Sequence, residues 1–209
     1  MVGVGDFISE ADVQLIKEKI AGVQEQPMET FQRNIKVISY LTYLLEKMGI
    51  RPIIVGGHAV EIYTLGHYTT VDVDLVVSGR EFAQEILTLL GFKKSQGNRH
   101  WYHEDLGLPI EIPDDALAGS LDRIMQVTVE EGYHVYVIGI EDLILDRVRA
   151  AVYWKSSADR EWAFLLIRSQ MEEIDFNYLE KEAKKEPDPT IIELIGKLKK
   201  SAESIIIDE

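Results

Sequence analysis

The chain has 209 residues, 46% hydrophobic and 28% charged, which is enough apolar material for a sizeable core in one domain or one domain with a small appendage. A formal net charge of −14 opposes general binding to DNA or RNA, though one defined nucleic-acid end stays open as a substrate. With no cysteine the redox compartment is left open. No apolar run approaches the roughly 20 residues of a membrane helix, and MVGVGDFISEADVQ lacks a secretory signal pattern, so a cytoplasmic protein without membrane contact is expected.

Ser9 followed by Glu10, Ala11 and Asp12 reads as an N-cap and acidic first turn, opening a helix that stops near Gly22. A second helix is predicted through METFQRNIKVISYLTYLLEKMGI, where Ile35, Ile38, Leu41, Leu44 and Leu45 recur at helical spacing before Gly49. RPIIVGG is a buried-strand pattern running into a tight glycine turn, and HAVEIYTLG is a short helix ending at Gly66. TTVDVDLVVSG is the next strand, REFAQEILTLLG an amphipathic helix closed by Gly91. FKKSQGNRHWYHEDLGLPIEIPD reads as strand pieces with turns at Gly97–Asn98 and around Asp105 to Gly107. IMQVTVEEGYHVYVIGI gives two strands joined at Glu131 and Gly132. From Glu141 onward every segment reads as helix, with breaks near Ser156–Ser157 and at Pro187 and Pro189.

The chemistry concentrates between residues 56 and 111. Side chains alternate along a strand, so Asp72 and Asp74 are expected on one face with Val73 between them on the other. Like charges that close repel, and a divalent cation is the simplest compensation, since Mg²⁺ takes one or two carboxylates plus substrate phosphate oxygens. Gly56 and Gly57 end the preceding strand where a helix begins, and their missing side chains let backbone N–H groups approach an anion. Glu111, between Ile110 and Ile112, is the candidate third acid of a two-metal site; a solvated strand face and a site both explain it.

A glycine pair before a short helix, T-x-D-x-D at Thr70, Asp72 and Asp74, and an acid on a later strand resemble the polymerase-beta-like nucleotidyltransferase superfamily. The nearer likeness is to its small prokaryotic members, including abortive-infection type toxins, over roughly residues 50 to 165. The resemblance implies an α+β fold: N-terminal helices over 1–49, a mixed sheet flanked by helices over 50–140, and a C-terminal helical segment over 141–209 packed on or beside the core. It implies transfer of a nucleoside monophosphate from a nucleoside triphosphate to a hydroxyl of an RNA end, a protein or a small molecule. Mg²⁺ would be the cofactor, as one or two ions replaceable by Mn²⁺, and a toxin-type member would have an antitoxin-like protein partner. Carried over by position, Asp72, Asp74 and Glu111 are the metal-binding and catalytic acids. Gly56, Gly57, Thr70, Arg147 and Lys155 would bind nucleotide, with Lys155 and Asp159 the weaker matches.

Three positions depart from that pattern. Tyr68 stands where many members have a basic residue, Gly57 where serine is common, and Arg147 where lysine is usual, directly after Asp146. These departures motivate a competing reading, a nucleotidyltransferase fold that has lost catalysis and serves as a nucleotide sensor or protein-interaction subunit. Elsewhere, His58 reads as a capping or packing residue. His100 and His103 have no companion at zinc-ligand spacing and face opposite sides of a strand, and Trp101 and Tyr102 read as packing.

Overall fold

Sheet alternation and helix periodicity build the chain into an α+β protein whose computed structural model describes residues 3–66, 69–95 and 99–208. Strands β1 (Ile53–Val55), β2 (Val73–Val76), β3 (Lys93–Lys94), β4 (His100–His103), β5 (Leu108–Glu111), β6 (Met125–Glu130) and β7 (Tyr133–Val137) form one mixed sheet in the order β3-β4-β5-β2-β1-β7-β6. β1 runs parallel to β7 and antiparallel to β2, while β2 is parallel to β5. The remaining neighbours, β3 with β4, β4 with β5 and β6 with β7, are antiparallel.

Helices α1 (Glu10–Glu25) and α2 (Thr30–Glu46) precede the sheet. Ser9 Oγ accepts from the Asp12 backbone N–H at 3.1 Å, and Asp12 Oδ2 accepts from the Ser9 N–H at 3.2 Å, so the expected cap is a reciprocal capping box. The helix runs three residues beyond Gly22, because a single glycine on an exposed helix costs only about 1 kcal/mol and does not force an end. Ile35, Ile38, Leu41, Leu44 and Leu45 are all buried, as their spacing requires. Lys19 of α1 and Lys36 of α2 both pair with Glu130 of β6, fastening the two helices to the sheet edge.

Helix α3 (Gly56–Tyr63) starts at the glycine pair itself, with no intervening turn. Helix α4 (Arg80–Leu89) follows β2, and its fully buried Ala83, Ile86 and Leu87 form its apolar stripe. After the sheet come α5 (Ile140–Tyr153), α6 (Ser157–Ser169), α7 (Phe176–Ala183) and α8 (Thr190–Asp208). Internal packing divides the described residues into two units: 3–58, 69–117 and 124–137 with the whole sheet, and 59–66, 118–123 and 138–208 with the C-terminal helices. In the second unit Arg123 holds Glu141 at 2.9 Å, while Tyr178 Oη and the Ser120 N–H both donate to Asp142. The two acids that open α5 thus tie the 118–123 segment and α7 to that helix. The expected turn at Gly97 and Asn98 lies outside the described residues.

His103 is 8% exposed, set edge-on to Phe92 with ring centroids 5.0 Å apart. Burial pushes its pKa down, against the opposing pull of Asp105 and the Leu90 carbonyl. In the unfolded chain this imidazole takes a proton as pH falls below about 6.5, while the folded state resists until its own lower pKa. Its neutral form therefore stabilises the fold fully above that pH and progressively less below it. The thermal midpoint of the wild type is expected to fall between pH 7 and pH 5 more steeply than that of His103→Leu. Parallel curves for the two proteins would contradict this.

Candidate metal and nucleotide site

The site grows from the row of paired residues that crosses the middle of the sheet. Val55 of β1 is the register partner of Asp74 on β2, and Asp74 is the partner of Glu111 on β5. Paired residues on neighbouring strands point to the same face, so Asp74 and Glu111 stand side by side. On the opposite face Val73, Ile110 and Trp101 are each no more than 4% exposed, which fixes the register that turns the acids the other way.

Asp72 reaches the same place by a different route. It precedes β2, which begins at Val73, so strand alternation does not orient it as expected. The turn is set instead by two hydrogen bonds. The buried His58 ring donates from Nδ1 to the Asp72 main-chain carbonyl at 3.1 Å, and Thr70 Oγ1 donates to Asp72 Oδ1 at 3.1 Å. A carbonyl oxygen only accepts, so Nδ1 carries the proton; burial, which lowers the His58 pKa, favours this neutral form. Phe31 stacks on the same ring at 5.9 Å. His58 is therefore a packing residue that also fixes the backbone of a site acid.

The result is one cluster. A carboxylate oxygen from each of Asp72, Asp74 and Glu111 lies within 4.8 Å of the others, with Asp72 exposed and the other two half-buried. Oxygen ligands about 2.1 Å from a Mg²⁺ ion can be no more than about 4.2 Å apart, so three carboxylates at this spacing fit a hard divalent cation after small rotations. The donor set of these three residues is all oxygen, which suits Mg²⁺ or Mn²⁺.

The glycine pair has two separate reasons to be glycine. Gly56 has φ +60°, and a Cβ there would lie 2.1 Å from Asp74 Oδ2. The carboxylate thus packs directly on the first residue of α3, where the helix dipole favours negative charge. A Cβ on Gly57 would meet the Thr70 side chain at 3.1 Å. Thr70 already fills the space beside this position, which accounts for glycine where the resembling family often has serine.

Arg147 and Lys155 belong to the second unit. Arg147 donates from Nη1 to Asp159 at 2.9 Å and from Nη2 to its neighbour Asp146, so both ends of its guanidinium are engaged. Lys155 is exposed and has φ +54° just beyond α5. Tyr68 lies outside the described residues. His100, which lacks a companion in sequence, has one in space: its register partner is Glu111, with Nδ1 3.5 Å from Glu111 Oε2. The signal that could find it is strand register, because the partner lies across a hairpin.

The mixed sheet and its helices make an α+β fold like that of a solved nucleotidyltransferase-like protein. The solved structure of an antigenic nucleotidyltransferase-like protein from Paracoccidioides brasiliensis is similar to it, with a TM-score of 0.52 and 16% sequence identity over 76% of this chain and 91% of that one. No protein-family model matches the sequence. No curated protein matches it either. Among the described residues no helix is long and apolar enough to cross a membrane.

Substitution separates the two glycines. Gly56→Ala meets both a left-handed backbone and an overlapping carboxylate, so it is expected to cost at least about 1 to 3 kcal/mol of stability and to displace Asp74. Gly57→Ala asks Thr70 to move by only tenths of an ångström. Denaturant unfolding and Mn²⁺ titration of both variants check this. Equal effects at the two positions would show that the Asp74 contact is unimportant.

Proposed function

We propose that the protein is a divalent-metal-dependent nucleotidyltransferase. It would join the α-phosphoryl group of a nucleoside triphosphate to a hydroxyl oxygen, breaking the bond to the β-phosphate and releasing pyrophosphate. The observation that carries this reading is the gathering of Asp72, Asp74 and Glu111 at the glycine-begun end of α3. Asp72, Asp74 and Glu111 would hold the cation, Mg²⁺ or Mn²⁺ in its place. Such a cation would supply neutralisation of the triphosphate charge and a more acidic attacking hydroxyl. Glu111 orients the acceptor hydroxyl and takes up its proton. The N–H groups of Gly56 and Gly57 donate to phosphate oxygens, and Thr70 holds Asp72 in its ligating orientation. Phosphoryl transfer depends mainly on positioning and charge, so these groups are sufficient in kind.

Incubation with labelled nucleoside triphosphates, Mg²⁺ or Mn²⁺, and candidate RNA, protein or small-molecule acceptors tests the reading. Label is expected to transfer. Asp72→Ala and Asp74→Ala should each reduce transfer by on the order of 100-fold or more, because several kcal/mol of charge stabilisation is lost. No transfer to any acceptor, together with unchanged metal and nucleotide affinity in Asp72→Ala, would sink it.

A second reading is favoured by the engagement of Arg147 with Asp146 and Asp159, which leaves this guanidinium already neutralised. On that reading the protein is a binding module of the same fold, a nucleotide sensor or interaction subunit. Thermal unfolding with nucleoside triphosphate discriminates the two. An enzyme should show a midpoint rise that requires divalent metal, whereas a rise that persists in a chelator supports the module.

A further inference from the structure

The paired row that carries Asp74 and Glu111 does not stop at β5. On β4 the partner of Glu111 is His100, so Asp74, Glu111 and His100 stand in line across three neighbouring strands and on one face. β4 alternates in burial: Trp101 and His103 face the core, which turns His100 and Tyr102 outward. His100 Nδ1 lies 3.5 Å from Glu111 Oε2. Two donor atoms bound at right angles to one cation, each about 2.1 Å away, are about 3 Å apart, so this pair needs little adjustment to share an ion. Strands lie about 4.8 Å apart, which puts the Asp74 and His100 backbones about 10 Å from each other. An aspartate and a histidine side chain with a cation between them span that distance. The His100 side chain is 55% exposed, which leaves it room to turn toward Asp74.

We propose that His100 is a nitrogen ligand of the carboxylate centre and sets its choice of cation, favouring Mn²⁺ or a comparable first-row transition ion over Mg²⁺. This rests on the metal-binding reading of Asp72, Asp74 and Glu111. Three carboxylates alone bind Mg²⁺ and Mn²⁺ through oxygen. An added imidazole discriminates, because nitrogen donors strengthen binding along the transition series and Mg²⁺ gains little from them. The chain's acidity draws either cation to the site, so the selectivity has to come from donor type.

The test is Mn²⁺ binding by electron paramagnetic resonance on the intact chain, with Mg²⁺ affinity from competition. Wild type, His100→Ala and Asp74→Asn are compared, and thermal midpoints confirm that each is folded. Wild-type Mn²⁺ is expected to show electron spin-echo modulation from a directly bound imidazole nitrogen. His100→Ala should lose that modulation and bind Mn²⁺ about tenfold or more weakly, with Mg²⁺ affinity changed by less than about twofold. Asp74→Asn should weaken both ions. Absence of nitrogen modulation in the wild type, or an unchanged Mn²⁺ to Mg²⁺ ratio in His100→Ala, overturns the assignment of His100 while leaving the carboxylate centre standing. A wild type that binds neither ion overturns both.

Discussion

The contact between Asp74 and the first residue of α3 is the constraint on which the site is built. A carboxylate can approach that backbone because Gly56 has no Cβ, and the left-handed φ of Gly56 lets the chain pass from β1 into the helix without a loop. Three carboxylates share this end of the sheet. At separations near 4 Å a pair of unit charges repels by about 1 kcal/mol under water-like screening and about 4 kcal/mol at a dielectric of about 20. Exposed Asp72 lies toward the first value and the half-buried pair toward the second. A helix N-terminus offsets part of that cost, and a bound cation offsets it more fully.

The apolar face of the sheet sets the polar one. Val73, Ile110 and Trp101 are register neighbours of one another on β2, β5 and β4, and all are buried. A slip of one residue on any of these strands would send a hydrophobic side chain to solvent and an acid or imidazole into the core. Core packing thus enforces the alignment of Asp74, Glu111 and His100. The parallel pairing of β2 with β5 brings residues 74 and 111 together although 37 positions separate them in sequence.

Much of this was legible from residue order. The N-terminal helices followed from their apolar period and the Ser9 cap, and the acids of T-x-D-x-D followed from the charge problem they pose. Asp72 was assigned its direction by strand alternation, yet its side chain is placed by His58 and Thr70, residues whose roles depend on a turn that no periodicity describes. The glycine pair read as a turn because glycine disfavours helix, and here close approach of a side chain outweighs that propensity. Glu111 was ambiguous because one strand alone cannot say whether its polar face meets water or a neighbour. The nearness of His100 to Glu111 is hidden for the same reason: spacing rules describe a single turn or loop, whereas this neighbour is supplied by a hairpin register.

The balance between enzyme and binding module turns on basic charge more than on the acids. A guanidinium shared by two carboxylates leaves a net local charge of about −1, so the pairing seen at Arg147 does not favour an added phosphate. Exchange of one carboxylate for a phosphate oxygen is nonetheless close to neutral in hydrogen bonding, since both accept from the same planar fork. Asp146 is the more exposed of the two partners, at 41% against 13% for Asp159, so its contact with Arg147 is the more readily given up. The pairing with Asp159, whose carboxylate is the more buried, is the one that orients the guanidinium.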